Sequence, residues 1–190
     1  MTKTTQRRAM AGLIELEGDS IRSLGTDDLP ALMRLRETIP DELFHLPGTA
    51  TELTGFLGFL ANKPWSLPMM CGRHGTPFGL CLLNVQQLKH LNAYLVALFE
   101  TPATAHRSLA LYIRQVFWFY PLHRLYAQLP SLPEMQPHID LLAGVGFQRE
   151  GVLAGHAEVG GRPVDVVVLG LLRDEFDVWC ATNDPRLSLA

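Results

Sequence analysis

LLAGVGFQREGVLAGHAEVGGRPVDVVVLGLLRDEF, residues 141–176, decides the fold of this chain. Its first residues read as the end of a helix, closed by a tight turn at Gly146-Phe147 where left-handed backbone suits glycine. An extended run from Phe147 to Val159 follows. Gly160-Gly161 is a favoured two-residue hairpin turn, and residues 162–172 return as a strand rich in β-branched residues. A helix end passing directly into a long hairpin predicts an α+β domain.

Working upstream, residues 124–129 alternate as a strand, and residues 134–145 form a helix that tolerates Pro137 only in its first turn. Residues 106–120 carry helical periodicity at Leu109, Tyr112, Ile113, Val116 and Tyr120, and Pro121 closes that helix. The middle is β-rich: residues 66–71 and 78–85 flank the turn segment GRHGTP, and residues 91–100 are a further apolar run. Near the start, residues 19–24 read as a strand. A helix follows from Thr26-Asp27-Asp28, with an apolar stripe at Leu29, Leu32, Met33, Leu35 and Ile39, and Pro40 ends it. Residues 41–47 make a connection. A second helix starts at Thr49 or Thr51 and carries Leu53, Phe56, Leu57 and Leu60. The order is βααβββαβαββ, a mixed and mostly antiparallel sheet flanked by about four helices. Residues 1–12 are expected to be a flexible N-terminus, 13–176 a single domain, and 177–190 a polar C-terminal tail.

Composition narrows the function. With 190 residues, 47% of them apolar, one self-sufficient core is expected. A net charge of -3 gives no general footprint for nucleic acid or an anionic membrane. Cys71, Cys81 and Cys180 are odd in number and widely spaced, which suits reduced thiols in a cytoplasmic protein and no metal knuckle. Lys3, Arg7 and Arg8 precede no long apolar run, so no signal peptide is expected. Nor does any window approach the roughly 20 apolar residues that span a bilayer.

Gly146-Phe147 followed by Glu150-Gly151, with the VDVVVLGLL strand behind them, resembles the closing segment of the GCN5-related N-acetyltransferase (GNAT) superfamily. The ribosomal-protein N-acetyltransferase-like branch is the nearest likeness, and it covers roughly residues 19–176. The resemblance implies a sheet whose fourth and fifth strands splay apart. It also implies an acyl thioester in that gap, acetyl-CoA or another short acyl-CoA, whose pyrophosphate rests on the N-terminus of the following helix. A helix N-terminus suits an anion because its unpaired N–H groups carry partial positive charge.

The family motif there is Arg/Gln-x-x-Gly-x-Gly/Ala. Anchored on Leu122-His123-Arg124, the motif falls on ETPATAHRS, with Glu100 at the cation position and Ala103 and Ala105 at the small positions. The implied donor-binding residues are Leu98, Phe99, Thr101, Ala103, Thr104, Ala105, His106 and Arg107. His106, Arg107 and Arg114 are cations that could offset Glu100; as a solvated helix face they would have no such role. Counting back from Phe147, Met135 stands where the family often has Asn and Leu142 where many members have an acid Tyr. Tyr126 is the replacement acid expected from sequence, although a packed tyrosine on the fifth strand is the plainer reading.

Glu100 ends the strand beside the gap and is expected to act as general base toward the acceptor ammonium. His90, His106, His138 and Asp140 are lesser candidates. The acceptor is expected to be a small-molecule amine or a peptide, and Asp41, Glu42, His45, Glu52, His156 and Glu158 are the groups available to its wall. Trp65, Phe99, Trp118 and Phe119 suit either the core or the pocket. Phe117-Trp118-Phe119-Tyr120 covers all sides of a helix, so at least one ring leaves the core toward solvent, a partner or a second subunit in a homodimer. Two other functions suit the same residues. The loop without glycine suits an acyl carrier protein as donor, whose arm has one phosphate. Loss of the Tyr, Asn and glycines suits a non-catalytic binding protein.

Overall fold

The computed structural model describes residues 12–38, 54–55, 58–59 and 66–188. The connection expected over 41–47 lies outside them, and so does most of the second early helix. Only Thr54, Gly55, Gly58 and Phe59 of that helix are described, all four as helical.

The chain opens with a hairpin that the sequence reading did not anticipate. Strand β1 (Ile14–Leu16) pairs antiparallel with β2 (Asp19–Ser23). Glu17 and Gly18 connect them at φ 50 and 86, the left-handed pair that a tight hairpin needs. Helix α1 (Leu29–Glu37) follows, with Leu32 and Leu35 fully buried. Strands β3 (Met69–Arg73), β4 (Thr76–Gln87) and β5 (Asn92–Phe99) form an antiparallel meander. Ser66, expected to begin β3, makes only an isolated bridge to Asn84. Helix α2 (His106–Phe119) then returns the chain to β6 (Arg124–Pro130). Helix α3 (Gln136–Gly144) leads through Gly146, at φ 99, into β7 (Gln148–Val159) and β8 (Arg162–Leu172). Gly160 and Gly161, at φ 56 and 73, make the expected hairpin turn.

All eight strands form one sheet in the order β1-β2-β3-β4-β5-β6-β8-β7. Every neighbouring pair is antiparallel except β5–β6. Helix α2 packs on β2, β3 and β4, and its Tyr112 is fully buried. The Tyr112 hydroxyl satisfies itself by donating to the Leu67 carbonyl at 2.6 Å. Cys71 and Cys81 are buried free thiols, with their sulfurs 3.7 Å apart.

The polar tail expected from residue 177 is corrected by the structure. Helix α4 (Arg173–Asn183) begins at the end of β8 and continues into a short turn at Pro185–Leu187. Phe176, Cys180 and Leu187 are buried, and the Phe176 ring packs on Phe117 and stacks on Trp179. The start of α4 is fixed locally, because the Glu175 carboxylate accepts the Leu172 N–H at 2.8 Å. Among the described residues, no helix is long and apolar enough to cross a membrane.

Candidate active site

The parallel pair β5–β6 holds together over only three residue pairs, Asn92 with Arg124, Ala93 with Leu125 and Tyr94 with Tyr126. Beyond Tyr94 and Tyr126 the strands part. Residues 95–99 stay paired to β4, and residues 127–130 stay paired to β8. The two facing main-chain edges therefore open onto a gap about 16 Å long, from the rise of a strand.

Side chains occupy both ends of that gap. At the closed end the Tyr94 and Tyr126 rings lie 5.5 Å apart. The Tyr94 hydroxyl reaches across to the Gln128 carbonyl at 3.4 Å. Burial, and then the neighbouring Tyr126, push the Tyr94 phenol above its ordinary value, so it stays a proton donor at neutral pH. At the open end the Phe99 N–H points to His138 Nε2 at 3.4 Å. His138 is buried on α3, and its Nδ1 has no hydrogen-bond partner among the described residues. Burial lowers its basicity, which suits a neutral ring accepting at Nε2.

The chain leaves β5 at Glu100, turns through Pro102–Thr104, and starts α2 at His106. Ala105, the N-cap of α2, is fully buried, and among the described residues no side chain caps the helix start. The first-turn amides are thus left for a ligand or for water.

Leu98 and Phe99 are buried at the strand end. A Cβ on Gly79 would stand 2.2 Å from the Phe99 ring, so the absence of a side chain at 79 makes room for that ring. Thr101, Ala103 and Thr104 are exposed on the turn. His106 lies against Gly144 of α3, where a Cβ would be 2.4 Å from its Nε2. Arg107 is drawn away by three carboxylates, Glu17 at 3.2 Å, Asp19 at 3.7 Å and Asp184 at 3.6 Å. Arg114 lies over the Trp118 ring. Glu100 turns toward α1, where Arg34 Nε meets its carboxylate at 3.2 Å.

Met135 and Leu142 are core residues. His90, Asp140, His156 and Glu158 are exposed, and Asp140 accepts from Gln136 at 2.7 Å. Trp118 is 62% exposed, the ring that the aromatic run had to leave outside the core. Trp65, Asp41, Glu42, His45 and Glu52 lie outside the described residues. Sequence reasoning missed Tyr94 and Arg34. Tyr94 could have been found by pairing the two strands in parallel, whereas nothing in the sequence links residue 34 to residue 100. No group of three or more His, Cys, Asp or Glu side chains among the described residues is gathered to hold a metal.

A parallel pair that splays after three residue pairs is the geometry expected from the family resemblance, and solved structures superpose on the whole fold. The chain has the GNAT fold. RimJ of Mycobacterium smegmatis in complex with a CoA-disulfide superposes with a TM-score of 0.72 at 22% identity, over 86% of this chain and 87% of that one. The ribosomal-protein-S5-alanine acetyltransferase of Vibrio fischeri gives 0.70 at 15% identity, over 87% and 98%. A mutant of the spermidine N-acetyltransferase SpeG of Vibrio cholerae gives 0.72 at 18% identity, over 85% and 97%. No family model matches the sequence, and no curated protein does.

Proposed function

We propose that this protein is an N-acyltransferase that moves a short acyl group, acetyl in the simplest case, from a coenzyme A thioester to an amine. The gap between β5 and β6 carries the proposal. An extended thioester arm laid along it would meet the main-chain edges of β5 and β6 between the Tyr94–Gln128 and Phe99–His138 contacts. Its phosphates would meet the turn of Thr101, Ala103, Thr104 and Ala105 and the uncapped start of α2 at His106, with Leu98 and Phe99 lining the arm. The complexes of similar fold, RimJ with a CoA-disulfide and a RimL with coenzyme A, support this donor.

The acceptor amine must lose a proton, attack the thioester carbon and expel the thiolate. A thiol is a tolerable leaving group, so a well-placed hydroxyl suffices as acid. Tyr126, nominated on sequence, shares that task with Tyr94, since both stand at the closed end of the gap. The Arg34 ion pair leaves Glu100 a weaker claim to the role of base. A small-molecule amine and a peptide N-terminus both suit the acceptor side, as spermidine and ribosomal-protein acetyltransferases share the fold.

The test is thiol release from acetyl-CoA in the presence of polyamines or peptides, with thermal stability measured alongside. Coenzyme A at a hundredfold excess over Kd should stabilise the protein by about 2.7 kcal/mol. Tyr94→Phe and Tyr126→Phe should each slow turnover by about a hundredfold while leaving coenzyme A affinity intact. No stabilisation at millimolar coenzyme A and no thiol release would sink the reading. Transfer from a phosphopantetheinylated carrier protein alone would replace the donor and keep the chemistry.

A further inference from the structure

The turn after β5 poses an electrostatic problem. A coenzyme A donor brings several negative charges to it, and the first residue of the turn is Glu100. The other cations near the turn are committed elsewhere. Arg107 faces Glu17, Asp19 and Asp184. Arg73, which reaches the turn by donating to the Thr104 carbonyl, is paired with Asp19 at 2.9 Å. The imidazole of His106 is packed against Gly144.

Arg34 comes from α1, 66 residues earlier in the chain, and is about half exposed. Its Nε meets Glu100 at 3.2 Å and its Nη2 donates to the Pro77 carbonyl at 3.3 Å. Its Nη1 has no partner among the described residues. Two contacts, to Glu100 and to the Pro77 carbonyl of β4, hold the guanidinium beside the first residue of the turn, and one edge of the fork has no partner among the described residues. A planar guanidinium with a free edge matches phosphate oxygens better than an ammonium would.

We propose that Arg34 is the phosphate-binding cation of this site and that Glu100 is its positioning residue. This rests on the acyl-transfer reading of the gap and adds to it the residue that receives the donor's charge. Glu100 fixes the side chain at the turn and screens it while the site is empty. An arriving diphosphate then competes with one carboxylate for the guanidinium. Removing the carboxylate should therefore strengthen donor binding, a sign opposite to the one expected from a repulsive or catalytic Glu100.

The experiment is calorimetric titration of the full chain with coenzyme A and with pantetheine, which has the thiol arm and no phosphate. Arg34→Gln should weaken coenzyme A about tenfold, or 1.4 kcal/mol, and leave pantetheine within twofold. Glu100→Gln should tighten coenzyme A several-fold and leave pantetheine unchanged. Thermal melts of both variants confirm that they are folded. Arg34→Gln binding coenzyme A like the wild type would overturn the inference, and so would an equal loss of both ligands. Glu100→Gln with unaltered affinity and abolished turnover would return that residue to the role of base. If the wild type itself ignores coenzyme A, the inference falls together with the acyl-transfer reading. If the wild type binds and Arg34→Gln binds equally well, only the inference falls.

Discussion

Burial keeps the His138 imidazole neutral at the open end of the gap, and this sets a pH dependence. Its pKa in the folded protein lies below the ordinary 6.5, so the unfolded chain binds the extra proton first. Stability is then fully present above about 6.5 and is lost as pH falls through that value toward the folded pKa. Urea midpoints of the wild type should drop between pH 7.5 and 5.5, and His138→Gln, whose amide oxygen can still accept the Phe99 N–H, should drop less. Equal slopes would show that His138 does not titrate this step. Gly79 gives a second case at this scale. A Cβ there meets both the Phe99 ring and, at 2.9 Å, the Leu98 carbonyl. Gly79→Ala should cost about 1–3 kcal/mol through forced repacking, readable in chemical denaturation. Neither residue announces its role in sequence, since a histidine on a helix and a glycine in a strand are both common.

Among the elements, α4 differs most from its sequence reading. Residues 177–190 read as a polar tail because Asp177, Thr182, Asn183, Asp184, Arg186 and Ser188 break up the apolar positions, yet Phe176, Trp179 and Cys180 recur at helical spacing. The buried face is only as wide as those side chains, which is why composition hid it. Burial also pushes the Cys180 thiol up to about 12, so it behaves as core and not as a nucleophile. Phe176→Ala should cost about 3–5 kcal/mol. Truncation after Phe176 should lower the melting temperature clearly, whereas a loose tail could be removed without effect. The hairpin β7–β8 shows the opposite case. Its turn glycines, its alternation and its β-branched core all act locally, and its bounds match the sequence reading nearly residue for residue.

At the scale of the whole molecule, one ion-pair network joins the two ends of the chain. Arg186 contacts Glu17 of the first hairpin turn and Asp184 beside it, and Arg107 of α2 forms ion pairs with both carboxylates. Hydrogen bonds from Arg186 hold Glu17 and Asp184 below the usual carboxylate range. Their contribution is present above the ordinary carboxylate pKa and fades as pH falls through the lowered values. Arg186→Ala should speed hydrogen exchange in both β1 and α4, and about 1 M salt should reproduce part of that effect, since charges are screened over about 3 Å there. Unchanged exchange in β1 would show that the ends are held by packing alone.

The sequence by itself determined the order of the described elements from β2 to β8 and the closing hairpin. Those features follow from periodicity, glycine and proline, which act over a few neighbouring residues. Tertiary structure alone decided the arrangement around the gap. It splayed β5 from β6 after Tyr94, set Tyr94 beside Tyr126, seated His138 on the Phe99 amide, and carried Arg34 to Glu100. Each of these joins residues more than thirty positions apart. Such contacts form only when helices pack on a twisted sheet and bring distant groups into one low-dielectric place, and no local pattern encodes that meeting.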